Sequence, residues 1–313
     1  MKQYRHNKIG FNIIYQKTDY DEPTIRDMII IIPYFNPCNS VNILNNLKTV
    51  KKSLDDANIP YYIGEILFDK QESINIERES NVFTYKTDSY MFYKENIINM
   101  LLDKIPKEYT KICTMDADIM FQNKAWYDVI SSSLDKLTIC HPFRESVWLD
   151  KKQQCIDVKK SIIEMQGDDL DGNRGHPGFI WAFNKEWLST NKLFELCVIG
   201  GGDTLLASSF LNLSHSKVWL NESYRDYLKK FKHPENVGNA ELTVFHLYHG
   251  GIINRQYDLR NQFMMNLLSF YNFTDISQLL EKNEHGLLEW KEEYKHKCNE
   301  VLLTFFKNRK DDK

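Results

Sequence analysis

At 313 residues, with 42% hydrophobic and 13% aromatic content, the chain can bury a sizeable core and is neither disordered nor fibrous. A net charge of −3 and a pI near 6.3 exclude a broadly basic nucleic-acid-binding surface. No stretch reaches the roughly 18 uncharged apolar residues of a membrane span, and Met1-Lys2-Gln3-Tyr4-Arg5-His6 lacks the apolar run of a secretory signal.

Residues 1–27 read as a polar arm or a peripheral strand. Met28 to Ile32 is a β-branched run apolar on both faces, as a central parallel strand requires, and Pro33 is expected to end it. Ser40 caps a predicted helix whose stripe is Leu44, Leu47, Val50 and Leu54. Strands follow at Tyr61 to Phe68, ending at Asp69, and at Asn81 to Tyr85. Met91 to Leu102 is a predicted helix, Lys111 to Met115 a strand, Trp126 to Leu134 a helix, and Leu137 to Cys140 a strand. The pattern loosens between Arg144 and Asn173, where Asp168, Asp169 and Asp171 suggest an acidic loop. Phe179 to Phe183 is again a strand, Thr204 to Leu211 a helix and Leu242 to Tyr248 a late strand. From Tyr257 the chain reads as helical. Leu267, Leu268, Trp290, Tyr294, Leu302, Phe305 and Phe306 are expected to pack on the main domain, in preference to peripheral membrane docking.

Alternating strands and helices imply β-α-β crossovers and a mostly parallel sheet covered on both faces, with ligands at the carboxyl ends of its strands. Asp69 and Asp116 lie at such ends. Asp116-Ala117-Asp118 follows a buried strand, so two carboxylates one residue apart meet one loop. That spacing suits a hard divalent cation, held by carboxylates and substrate phosphates together. The six cysteines (Cys38, Cys113, Cys140, Cys155, Cys197, Cys298) form no C-x-x-C pair and read as reduced thiols, which fits a cytoplasmic protein. Asn212, Asn221 and Asn272 head N-x-S/T triplets that read as accidental in a chain without an entry signal.

Four blocks resemble the GT-A glycosyltransferases, particularly the family-2-like and β-1,4-galactosyltransferase-like enzymes. They are Ile29 to Asn36, Phe92 to Asn99, Met115 to Asp118, and Gly178 to Phe183 followed by Gly200-Gly201-Gly202-Asp203. The resemblance implies an α/β GT-A fold, Rossmann-like, with a mostly parallel central sheet flanked by helices and a helical extension. One domain would cover 1–256, with a nucleotide-binding half at about 28–125 and an acceptor half at about 137–256. The extension, 257–313, would pack on it.

The resemblance also implies roles. Pro33, Tyr34, Asn36, Asp69, Lys94 and Asn99 would line the nucleotide-sugar pocket. Asp116 and Asp118 would meet a Mn²⁺ or Mg²⁺ ion and the diphosphate of a UDP-sugar, with Asp118 the firmer ligand. His249, or as second choice His246, would be a third ligand. Retaining relatives of the glycogenin type place a lysine six residues after that histidine; Arg255 stands there, suited to phosphate oxygens. Trp181, His176 and Gly202 would face acceptor or sugar. Asp203 would be the base for an inverting transfer to a glycan hydroxyl, and it also suits an N-cap. Many relatives carry a second acid directly after this position, where this chain has Thr204. A retaining transferase and a catalytically silent carbohydrate- or nucleotide-binding module are the alternatives.

Overall fold

The Met28–Phe35 strand, β1, has every residue from Met28 to Tyr34 buried, because successive side chains feed opposite faces of a covered sheet. Ile29 and Ile31 enter one apolar cluster, and Met28, Ile30 and Ile32 enter the other. The computed structural model of the protein describes Tyr15 and residues 17–74, 79–166, 175–211, 220–256 and 259–313. The Asp168, Asp169 and Asp171 loop and Asn212 lie outside the described residues.

Pro33 does not end β1. The strand pairs with β2 (Tyr61–Phe68) from Ile30↔Tyr61 to Phe35↔Ile66. On its other side it pairs with β4 (Lys111–Met115) only as far as Ile31↔Thr114. The Ile30 amide donates toward β2, so the alternate position Pro33 faces the other side, beyond the end of β4. Its missing N–H therefore costs no ladder bond.

The main sheet has seven strands in the order β11-β6-β10-β4-β1-β2-β3. Besides those given they are β3 (Val82–Thr87), β6 (Ile139–His141), β10 (Ile180–Asn184) and β11 (Val237–Asn239). Only β10 runs against its neighbours. Helix α1 (Val41–Asp56), capped by Ser40, and α3 (Trp126–Leu134) put Leu47, Val50, Leu54 and Ile130 on one face. On the other lie α2 (Lys94–Leu102), α5 (Gly202–Leu211), α7 (Arg260–Tyr271) and α8 (Glu292–Asn308). This is the expected α/β architecture, a mostly parallel sheet flanked by helices.

Arg144 to Asn173 is not irregular where it is described. β7 (Glu145–Leu149), β8 (Cys155–Ser161) and β9 (Gly175–His176) join β5 (Ile119–Phe121) and β12 (Thr243–His246) in a second sheet, ordered β5-β12-β7-β8-β9. The helices α4 (Lys185–Asn191) and α6 (Asn221–Lys230) complete the middle of the chain. After Tyr257 a hairpin of β13 (Leu280–Lys282) and β14 (Leu288–Trp290) interrupts the helices. Leu267, Leu268, Trp290, Leu302, Phe305 and Phe306 are all buried in the cluster that contains α2. The six cysteines are free thiols, and among the described residues no helix is long and apolar enough to cross a membrane.

Candidate active site

Two sheets meet at the Asp116-Ala117-Asp118 turn. β4 ends at Met115, and the Asp116 amide is fixed by the Phe179 carbonyl at 2.8 Å. β5 then pairs antiparallel with β12, His246 opposite Ile119, and the Leu247 amide donates to the Asp118 carbonyl at 2.9 Å. This register sets the Asp118 carboxylate beside two imidazoles. Its Oδ2 is 2.8 Å from His249 Nε2 and 3.6 Å from His246 Nε2. One donor atom from each of Asp118, His246 and His249 lies within 4.8 Å of the others.

The electrostatics favour a cation there. Burial alone would raise the Asp118 carboxyl, but His246, His249 and Arg255 outweigh it and hold it well below the usual carboxylate range. Burial opposes charge on His246 and, against the pull of Asp118, holds it well below its ordinary value. Asp118 Oδ1 is buried and has no hydrogen-bond partner. His249 Nε2 is 2.8 Å from the acceptor Asp118 Oδ2 and also 2.8 Å from the donor Arg255 Nη2. A neutral ring nitrogen either donates or accepts, so it cannot satisfy both. A divalent cation among the three residues would use the orphaned oxygen and both ring lone pairs, and oxygen with imidazole nitrogen is an acceptable donor set for Mn²⁺. The residues fit the ion.

On the other side of the turn, Lys94 Nζ is 2.7 Å from Asp116 Oδ1 and 2.8 Å from Asp203 Oδ2. Lys94 opens α2 and Asp203 lies in the first turn of α5, so one ammonium ties two helices to the Asp116 turn. Burial opposes charge on Lys94, yet Asp116, Asp203 and Glu95 raise its pKa and keep it protonated. Burial pushes Asp116 up to about 6, with Lys94 opposing and Asp203 and Asp118 adding to the rise. Beneath them Glu95 is buried. Burial and the neighbouring Asp203 carry its carboxyl up to about 8 against the pull of Lys94. Glu95 leaves room only for glycine opposite: a Cβ on Gly202 would lie 2.0 Å from Glu95 Oε1. The preceding Gly200 and Gly201 have φ of 87° and 90°.

The other expected site residues divide. Pro33, Tyr34 and Asn36 sit at the carboxyl end of β1, and Asn36 spends its amide on Ser40, donating to its carbonyl and accepting from its amide at 2.8 Å each. Asp69 ends β2 with φ of 48° and accepts from the Tyr90 hydroxyl. Asn99 is a brace, bonded to the Leu193 carbonyl and amide at 2.8 Å each, and it faces the 193–195 segment. Trp181 is 1% exposed, stacks on His141 at 4.1 Å and donates to the Pro177 carbonyl, as a core indole does. His176 stacks on Phe179 at 3.8 Å and beside Trp148; burial holds its pKa far down. Arg255 packs its guanidinium 5.2 Å from the Trp148 ring centre and reaches both His246 and His249.

Glu95, Trp148 and Asp311 belong to these clusters and were not singled out in the sequence. Glu95 carried one signal, a second charge next to Lys94 at the start of an apolar helix.

No family model and no curated protein matches the sequence. Among solved structures the chain is similar to the catalytic domain of Drosophila β1,4-galactosyltransferase 7, in complex with xylobiose. The identity is 14%, over 69% of this chain and 65% of that one, with a TM-score of 0.35. It is similar to S. aureus TarS at 9% identity, over 89% of this chain and 71% of that one, TM-score 0.44. It is also similar to 4-diphosphocytidyl-2C-methyl-D-erythritol synthase from Anaerococcus prevotii, at 12% identity over 69% and 87%, TM-score 0.33. The chain thus spans 65% of the length of the first of these. At such identities and scores the likeness carries no activity and no residue role to this chain.

Proposed function

We propose that the protein is a metal-dependent GT-A glycosyltransferase that moves a hexose from a UDP-sugar to a hydroxyl of a glycan or glycoconjugate, with inversion. The observation that carries this reading is the Asp118 carboxylate, whose Oδ2 faces two histidines while its buried Oδ1 has no partner, two positions from Asp116 in the Asp116–Lys94–Asp203 group. Asp118, His246 and His249 would hold Mn²⁺ or Mg²⁺. The ion would supply charge neutralisation at the diphosphate leaving group.

The chain's own residues do the rest. Arg255 offers a planar guanidinium for phosphate oxygens, from a position already against the histidine pair. Asp69, Tyr34 and Asn36 at the ends of β2 and β1 would border the nucleotide, as the carboxyl edge of such a sheet does. Lys94 keeps Asp203 oriented, and each Asp203 oxygen retains a lone pair beyond the one Lys94 engages. Asp203 therefore remains able to take the proton of an attacking hydroxyl; general-base action of this kind supplies about 10²–10⁴-fold in rate. Trp181, being buried, would shape the acceptor side through its neighbours.

The test is transfer and hydrolysis of UDP- and GDP-sugars with and without Mn²⁺, with the product anomer read by NMR. Asp118→Ala should lose both activities with little change in thermal unfolding. Asp203→Asn should keep Mn²⁺-dependent UDP binding and lose transfer. Unchanged transfer in Asp203→Asn would move the base elsewhere, and retained anomeric configuration would contradict inversion.

A further inference from the structure

The segment after α8 is Arg309-Lys310-Asp311-Asp312-Lys313, charged at every position. In the structure it lies along the cation cluster. Asp311 Oδ1 is 3.3 Å from His249 Nδ1, on the edge of the ring opposite Asp118. The Asp311 side chain is 8% exposed and is also faced by Arg309 at 3.4 Å.

Its placement is fixed from four sides. Asp312 caps the start of α1, accepting from Ser40 Oγ at 2.7 Å, the Asn42 amide at 2.9 Å and the Val41 amide at 3.2 Å. Asn42 Nδ2 donates to the Asp311 carbonyl at 2.9 Å, and the Tyr248 hydroxyl donates to the Lys313 carbonyl. Gly250, φ 95°, lets the backbone pass: a Cβ there would come 2.9 Å from Asp311 Cα. The cap and the close passage are independent of any charge on His249.

We propose that Asp311 is a positioning residue for His249, taking the Nδ1 proton in a hydrogen bond so that the Nε2 lone pair faces Asp118 and is available to a divalent cation. A carboxylate accepts and cannot donate, so the Nδ1 edge must carry the proton. A neutral imidazole protonated at Nδ1 is unprotonated at Nε2. That form is the one a metal takes, and it is the form that accepts from Arg255 Nη2, 2.8 Å from Nε2, beside Asp118. A carboxylate on the far nitrogen of a ligating histidine also raises its donor strength, and losing such a partner typically costs about 10–100-fold in metal affinity. The inference rests on the metal-centre reading, but its tautomer half can be measured without metal.

The experiment is ¹⁵N NMR of the histidine tautomers in the metal-free full chain at alkaline pH, together with Mn²⁺ affinity by EPR. In the wild type, His249 should be protonated at Nδ1 and bare at Nε2. Asp311→Leu should mix the tautomers and weaken Mn²⁺ about 10–100-fold. Asp311→Asn, which retains an oxygen acceptor, should lie closer to wild type on both readouts. An Nε2-protonated His249 in the wild type would overturn the positioning role without any variant, as would a folded Asp311→Leu with wild-type tautomer and affinity. Absence of Mn²⁺ binding to the wild type, with the Nδ1-protonated form intact, would instead overturn the metal centre on which the role depends.

Discussion

Glu95 is the residue whose chemistry departs furthest from its place in the sequence. It occupies a core position on a helix whose other inward residues include Ile97, Ile98 and Leu101, so nothing in the apolar periodicity marks it. Its carboxyl is raised from 4.5 to about 8 by burial, then by Asp203, with Lys94 opposing. An acid with a raised folded pKa binds its proton more tightly when folded. Its contribution to stability is therefore present below the ordinary carboxylate pKa and is lost as pH rises toward about 8. The urea midpoint of the wild type should accordingly fall from about pH 5 to about pH 8 more steeply than that of Glu95→Gln. Equal slopes would show that Glu95 does not titrate in this window. Asp203, Asp118, His246 and His249 were legible because glycines or a strand end announce them. Asp116 was expected beside the cation with Asp118; its carboxylate instead pairs with Lys94 and is not among the three grouped donors, because Lys94 at the start of α2 reaches it first.

Among the elements, the meeting of α2 and α5 sets the site. Gly202 was expected to face acceptor or sugar; the group that closely approaches it is the Glu95 side chain. Gly202→Ala should shift α5, cost about 1–3 kcal/mol by overpacking, and lower transfer by displacing Asp203. In a Glu95→Ala background the same substitution should cost much less, because the atom in the way is gone; a double-mutant cycle measures the difference. Additive costs would mean that the contact does not decide the fit. Helix α1 was foreseen from its stripe and its Ser40 cap, and α3 as a helix over the same residues. Strand β8 was not: Ile156 and Val158 point outward, 53% and 38% exposed, so its apolar alternation faces away from the core and gives no buried pattern to read. The β13–β14 hairpin was missed because each strand has only three residues and supports no period.

For the whole molecule, the alternation of strands and helices foretold the main sheet, whose carboxyl edge holds Tyr34, Asp69 and Asp116. The second sheet was invisible as such, since β5, β7 and β12 are short and come together from distant parts of the chain. Yet this sheet sets His246 opposite Ile119 and so completes the cluster around Asp118. The segment from Arg309 to Lys313 closes it from outside. Three separate stretches thus meet around His249, which lies between Asp118 and Asp311, and binding there should couple to global stability. A ligand that binds only the folded state stabilises it by about 2.7 kcal/mol at a hundred-fold excess over Kd.

The most direct measurement is calorimetric titration of UDP into the full chain, with and without Mn²⁺, for the wild type and Asp118→Asn. The expected result is UDP binding by the wild type only when Mn²⁺ is present, and none by Asp118→Asn under either condition. UDP binding that is indifferent to Mn²⁺, or equal in the two proteins, would contradict a metal-bridged diphosphate at Asp118.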